Sequence, residues 1–182
     1  MMKPFPALIL FFLLIPTPSW AQTYEKWVEE CHSYKDVAQW LNGNFQYDQI
    51  RDGESRLSRN TRAKPPRVQA PEETFRHRTG GSLDAALFAR KTLNRINPDY
   101  RARIIHIAPD RTHVHYLCGF YVGGKLFVMD YWNSQEKLIG THGPFENLKD
   151  YVQRFYLKHQ PQHQSLFSCS FGFPPGKLSK SP

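Results

Sequence analysis

The stretch of sequence that decides the fold is residues 113–132, HVHYLCGFYVGGKLFVMDYW. Two runs rich in apolar and aromatic residues flank Gly123-Gly124, and two glycines between such runs are a strong signal for a two-residue β-hairpin. The turn fixes the register, so Val122 should pair with Lys125. Because side chains alternate along a strand, five residues should share one face of the hairpin: His113, His115, Leu117, Asp130 and Trp132.

This register makes His115 and Asp130 diagonal neighbours, with Cβ atoms roughly 5–8 Å apart. An aspartate at that distance accepts a hydrogen bond from the imidazole and holds its tautomer, which is the base-and-orienter part of a nucleophilic triad. Cys118 falls on the opposite face and is a poor candidate for a nucleophile served by His115. Two other interpretations stay open: a structural His–Asp pair, and a metal site that also uses His113. Since the sequence offers no further ligand, we predict neither a metal nor a cofactor.

The N-terminus has the features of a secretory signal peptide. Lys3 precedes an apolar run from Ala7 to Ile15, and Ser19-Trp20-Ala21 supplies the small residues of a signal-peptidase site. The apolar run is too short to span a bilayer. We therefore predict a signal peptide over residues 1–21 and an exported protein, periplasmic or secreted, with no membrane span after cleavage.

The composition is that of one basic, aromatic-rich domain. The chain has 182 residues, with 24 Lys and Arg against 16 Asp and Glu, a formal net charge of +8 and 40% hydrophobic residues. This length accommodates one main core, and the apolar content excludes wholesale disorder. Three cysteines are too few for a disulfide framework. In an exported protein they either form one disulfide with one thiol left over or all stay free: Cys31, Cys118 and Cys169.

The order of elements predicts an α+β fold, with N-terminal helices packed on an antiparallel sheet. Apolar residues recur at helical spacing over residues 24–47, and Ser33 provides a helix start that divides this run. A further helix follows Gly80-Gly81-Ser82, a strand covers residues 103–108, and a last helix begins at Pro144. We assign residues 22–160 to the domain and residues 161–182, rich in proline and serine, to a loosely held C-terminal tail.

Residues 51–78 are predicted to form a long basic loop, because eight arginine and lysine residues face only four acids there. Such a loop could bind an anionic envelope polymer, although a solvated charged loop is the commoner explanation. The loop lacks the interleaved aromatic residues of single-stranded nucleic-acid grooves, so no specific nucleic-acid partner is predicted.

These parts, in this order, resemble the transglutaminase-like superfamily, which has a papain-type core and includes bacterial exported members that are cysteine-peptidase-like. The resemblance covers about residues 34–132. It rests on four features of the sequence: Asn44-Phe45-Gln46-Tyr47 after a helix, residues 71–75 after a loop, residues 80–86 at a helix start, and an aspartate fifteen residues after the strand histidine. The family pattern is G-x-C-x-D, then His on one strand and Asp on the next. The residues that match it are Gly80, Asp84, His115 and Asp130.

The nucleophile departs from the family pattern, because Ser82 stands where the family has cysteine. A helix N-terminus and a nearby imidazole lower a thiol pKa from about 8.5 into the physiological range. A serine hydroxyl is far less acidic, so it needs general-base catalysis and an oxyanion hole. Serine is also a favoured helix N-cap. The candidate catalytic site formed by Ser82, His115 and Asp130 is therefore either degenerate or active.

The resemblance and the charge pattern together lead to three candidate functions. The first is an exported transglutaminase-like protein whose degenerate site binds a peptide or a cell-envelope polymer. The second is an active Ser-His-Asp hydrolase or acyltransferase that acts on amide or ester bonds of a peptide, protein or envelope polymer. The third is a basic scaffold that binds an anionic envelope polymer through residues 51–78.

Overall fold

The computed structural model describes residues 22–51, 53, 67–131, 136–160, 162 and 164–174. The predicted signal peptide, most of the predicted basic loop, Trp132 and the end of the predicted tail lie outside the described residues. No helix within the described ranges is long and apolar enough to cross a membrane.

The part of the chain before the main sheet is helical where it is described. Its helices are α1 (Tyr24–Glu30), α2 (Tyr34–Asn44), α3 (Pro71–His77) and α4 (Ser82–Ile96). Ser33 begins α2 with a capping box, because its hydroxyl accepts from Lys35 N and Asp36 accepts from Ser33 N. The predicted break in the first helical run is therefore confirmed. Two short strands, β1 (Gln46–Tyr47) and β2 (Thr79–Gly80), pair in parallel just before α4.

A five-stranded antiparallel sheet follows. Its strands are β3 (Arg103–Ala108), β4 (His115–Val122), β5 (Lys125–Asp130), β6 (Gly140–Phe145) and β7 (Ser168–Phe171), in the order β6-β5-β4-β3-β7. Strands β4 and β5 form the predicted hairpin, with Val122 opposite Lys125. Gly123 and Gly124 have φ values of 57° and 79°, which a two-residue type I′ turn requires. The predicted register is confirmed.

The predicted basic loop contains α3, so that prediction is wrong for residues 71–77. The helix begins with Pro71, and the Glu73 carboxylate accepts a hydrogen bond from Ala70 N at 2.9 Å. Phe75 anchors it on the helical core, with its ring centroid 5.1 Å from that of Trp40. A seven-residue helix held by one aromatic side chain is too short to give a periodic signal in the sequence.

The prediction of a helix beginning at Pro144 is also wrong. Residues up to Phe145 belong to β6, and Phe145 lies opposite Leu126 of β5. The helix α5 (Leu148–Tyr151) begins after Asn147, whose side chain accepts a hydrogen bond from Asp150 N at 3.0 Å. It continues as a π-helix over Val152–Tyr156. Because proline suits both a helix start and the end of an edge strand, the sequence pattern pointed to the wrong element.

The predicted tail, residues 161–182, contains an ordered strand. In β7, Cys169 lies opposite Ile107 and Phe171 lies opposite Ile105 of β3. Gly172 N then donates a hydrogen bond to Ile104 O at 2.8 Å. The boundary of the domain at residue 160 is therefore corrected, because the sheet extends to residue 171.

The main sheet separates two hydrophobic cores. On one face, α1, α2 and α4 pack against Cys118, Phe120 and Met129; we call this the helical core. On the other face, residues such as Leu117 pack against the C-terminal helical segment, residues 148–157, including Tyr151; we call this the second core. The fold is thus α+β with helices on an antiparallel sheet, as predicted.

Phe88 lies at the centre of the helical core. It is 0% exposed, and its ring centroid is 4.5 Å from that of Trp40. Phe88→Ala should lower the free energy of unfolding by about 3–5 kcal/mol, because lost apolar burial and the resulting cavity both contribute. Ile50→Ala, at a residue that is 78% exposed, should change it by less than about 0.5 kcal/mol. Urea denaturation checks both variants, and equal midpoints would contradict this packing.

Candidate active site

The predicted contact between His115 and Asp130 is present. His115 Nε2 lies 2.9 Å from Asp130 Oδ1 and 3.0 Å from Oδ2, and the two residues are 8% and 1% exposed. Since Asp130 engages Nε2, this nitrogen carries a proton, and proton exchange with a nucleophile would use Nδ1. The pair has the geometry of a base and its orienting acid.

The second core forms the surroundings of Asp130. Burial raises the pKa of Tyr151 and that of Tyr156, and the negative charge of Asp130 adds to both effects. Burial lowers the pKa of His142, and the charge of Asp130 opposes that shift. The carboxylate is therefore enclosed by poorly solvated side chains, where a low dielectric strengthens its interaction with His115.

Ser82 is the first residue of α4, and Gly81 is the N-cap, with φ −85° and ψ 179°. The Asp84 carboxylate accepts a hydrogen bond from Gly81 N at 2.9 Å and so covers the start of the helix. The N-cap explanation of Ser82 is therefore wrong. Ser82 is 4% exposed and lies in the first turn, at the positive end of the helix dipole.

Ser82 lies beside the residues that adjoin the His–Asp pair in the chain. It lines a cavity of about 10 Å³ together with Tyr116 and Met129. By strand alternation, Tyr116 and Met129 face α4, whereas His115 and Asp130 have the alternation of the second core. The structure thus brings His115 and Asp130 into contact and places Ser82 at the same end of the sheet.

Asp84 holds three segments together at the start of α4. Besides Gly81 N, its carboxylate accepts from Gln69 N at 2.7 Å and from Arg51 Nε at 2.8 Å. Arg51 Nη2 also donates to the carbonyl oxygen of Arg67. The sequence analysis matched Asp84 to the family pattern and missed Arg51, because a partner 33 residues away leaves no local signal.

His113 does not join the His–Asp pair. It lies before β4, and its Nδ1 is 2.7 Å from Asp110 Oδ2 on the surface. Hydrogen bonds from Thr112 and His113 lower the pKa of Asp110. Among the residues that the structure describes, no group of three or more His, Cys, Asp or Glu side chains is arranged to hold a metal ion.

The three cysteines are free thiols, so none of the possible disulfides is formed. Burial raises the pKa of Cys31 to about 11 and that of Cys169 to about 12. Burial also raises the pKa of Cys118, which is packed in the helical core as its strand position predicted. All three thiols are protonated at neutral pH and are therefore poor nucleophiles.

Comparison with known proteins identifies one family and one group of similar folds. A family model described as Transglutaminase-like domain matches residues 21–152. Three structures of LapG from Legionella pneumophila are similar to the chain. LapG has 22% identity and a TM-score of 0.40, and the match covers 59% of this chain and 55% of that chain. Calcium-bound LapG has 21% identity and a TM-score of 0.39 over 56% and 53%, and EGTA-treated LapG has 22% and 0.39 over 56% and 52%.

The chain spans about half the length of these LapG structures. No curated protein matches it.

Asp84→Ala should lower the free energy of unfolding by about 3 kcal/mol, because it leaves Arg51 without its carboxylate and two backbone N–H groups without an acceptor. Asp84→Asn keeps one acceptor oxygen and should cost less. Glu146→Ala is the control, since Glu146 forms a surface pair with Lys125 worth less than about 1 kcal/mol. Urea denaturation measures all three variants, and an Asp84→Ala cost no larger than that of the control would disprove the role assigned to Asp84.

Proposed function

Because the chain belongs to the transglutaminase-like domain family, we propose that it is an exported protein whose degenerate active site binds a peptide or a cell-envelope polymer. The observation that carries this proposal is the buried His115–Asp130 pair, at the end of the sheet where α4 begins with Ser82. Such a site keeps the family's arrangement and lacks its thiol. Export rests on the predicted signal peptide over residues 1–21.

The surroundings of Ser82 favour binding over catalysis. A serine hydroxyl is not ionised by a helix N-terminus, so it needs an imidazole within hydrogen-bond reach during attack. Ser82 is 4% exposed, and its cavity of about 10 Å³ has room for no more than one water molecule. The carbonyl carbon of a substrate could not approach the hydroxyl oxygen in this conformation.

An active hydrolase or acyltransferase is the second candidate, and the hydrogen-bonded His115–Asp130 pair favours it. In that reaction, His115 Nδ1 would take the proton of Ser82 Oγ as the oxygen attacks the carbonyl carbon of an amide or ester. The imidazole would return the proton to the leaving amine or alcohol, and a second nucleophile would then release the acyl group. First-turn N–H groups of α4 would stabilise the oxyanion.

The basic-scaffold function has less support. Two cations at the ends of the predicted loop are used internally: Arg51 pairs with Asp84 at 2.8 Å, and Arg67 pairs with Glu73 at 2.6 Å. The hydrogen bond from Arg67 lowers the pKa of Glu73 to about 2. Polymer binding by this segment would have to use its other cations.

A fluorophosphonate probe tests the degenerate site directly. Because the hydroxyl of Ser82 is neither ionised nor accessible, labelling at this residue should not exceed that of Ser82→Ala, measured by mass spectrometry of the modified peptide. The heat-denatured chain controls for non-specific reaction. Labelling of Ser82 that is lost in His115→Ala would overturn the proposal and establish the hydrolase.

Ser82→Cys tests whether the remaining site can still serve a nucleophile. The α4 N-terminus and the imidazole should lower the pKa of the new thiol, so iodoacetamide should label it at pH 7 at least about tenfold faster than the native thiols. The rate should fall as the pH drops through the lowered pKa. Adding His115→Ala should return labelling to the slow rate. Equally slow labelling in both variants would mean that the His–Asp pair does not serve position 82.

A further inference from the structure

A cationic cleft lies beside the C-terminal half of α4. It has a volume of about 410 Å³, and the side chains that form its walls include Arg90, Lys91, Asn94, Arg95, Arg103 and Phe173. The Asn94 amide is used internally, because it donates to Ala102 O at 3.0 Å and accepts from Ala102 N at 2.7 Å. This double hydrogen bond fixes α4 against the start of β3, so the cleft has a preformed wall.

Little negative charge offsets the cations of this cleft. Lys91 Nζ pairs with Glu72 at 2.8 Å. By contrast, Arg90, Arg95 and Arg103 have no carboxylate within ion-pair distance in the part of the chain that the structure describes. Three arginines in one concave site create a positive potential that attracts an anionic ligand.

Two of these arginines are positioned by aromatic rings. The guanidinium carbon of Arg95 lies 5.6 Å from the ring centroid of Tyr24, and that of Arg103 lies 4.4 Å from the ring centroid of Phe171. Such contacts with a ring face hold a guanidinium while leaving its N–H groups able to donate to a carboxylate. The arginines are therefore arranged to bind carboxylate groups in the cleft.

The cleft and Ser82 lie along the same side of α4. Ala86 and Ala89 line the cavity of Ser82, and Arg90 and Asn94 follow them at helical spacing in the cleft. At 1.5 Å per residue, the cleft lies about 12–18 Å from Ser82 along the helix axis. An extended peptide covers that distance with about four or five residues.

We propose that the cationic cleft binds acidic side chains of a polypeptide whose backbone passes Ser82, about four or five residues away from the one bound there. This inference rests on the proposed binding of a peptide at Ser82 and specifies its sequence preference. Arginine favours carboxylates because its planar group forms paired hydrogen bonds with them.

A single-stranded nucleic acid suits this cleft less well than an acidic peptide. Sites for single strands offer exposed aromatic faces on which bases stack. Here Tyr24 and Phe171 are covered by arginines, and the ring of Phe173 packs against that of Tyr116, with centroids 6.0 Å apart.

Fluorescence anisotropy of a labelled octapeptide of alternating Glu and Ala, titrated with the purified chain, tests the proposal. The Glu peptide should bind at least about tenfold more tightly than the same peptide with Gln for Glu, and its affinity should fall with salt. Arg95→Glu combined with Arg103→Glu should weaken binding at least about tenfold. Lys26→Glu combined with Lys158→Glu changes the net charge equally outside the cleft and should weaken binding less than about twofold.

Thermal melts establish that each variant is folded, and Arg95→Gln with Arg103→Gln provides a milder pair that should also weaken binding. Equal losses in the cleft and control variants would reduce the effect to net charge and overturn the proposal. A single-stranded oligonucleotide that binds more tightly than the Glu peptide, and is lost in the cleft variants, would overturn the choice of a peptide. Fluorophosphonate labelling reports on Ser82 separately, so absent peptide binding would disprove the acidic cleft whatever the labelling shows.

Discussion

The buried carboxylate of Asp84 is the interaction on which the candidate site depends. It accepts hydrogen bonds from Gln69 N, Arg51 Nε and Gly81 N at 2.7, 2.8 and 2.9 Å, and so joins segments that are distant in the sequence. A buried charge is costly to desolvate and is tolerated when its oxygens are fully used. The start of α4, and with it the position of Ser82, is therefore fixed by hydrogen bonds and charge as much as by apolar packing.

The main sheet gives the His–Asp pair a structural explanation that does not require a nucleophile. Asp130 is 1% exposed, and its hydrogen bonds to His115 supply the polar partner that a buried carboxylate needs. Removing either side chain would leave the other buried without its partner, whether or not the site is catalytic. The retained pair is therefore evidence for the family's architecture, and evidence for catalysis must come from the reactivity of Ser82.

The sequence predicts the features of this fold that are encoded locally. Gly123 and Gly124 determine the hairpin, and its register led directly to the contact between His115 and Asp130, because alternation and pairing are fixed once the turn is known. Strand β6 could not be predicted in the same way, since Phe145 belongs to it through distant pairing with Leu126. The same holds for β7, whose neighbour β3 lies far upstream in the chain, and for the ion pair between Arg51 and Asp84.

A serine at the start of α4 separates recognition from chemistry in this fold. A thiol at that position is partly ionised before a substrate arrives, whereas a hydroxyl becomes a nucleophile only if an imidazole removes its proton during attack. Alternation turns Tyr116 and Met129 toward Ser82 and gives His115 the opposite orientation, so the structure makes that proton transfer demanding. Charge recognition in a cleft that begins about 12 Å along α4 makes no such demand. Binding free energy that an enzyme would use to reach its transition state can then appear as affinity for the bound polypeptide.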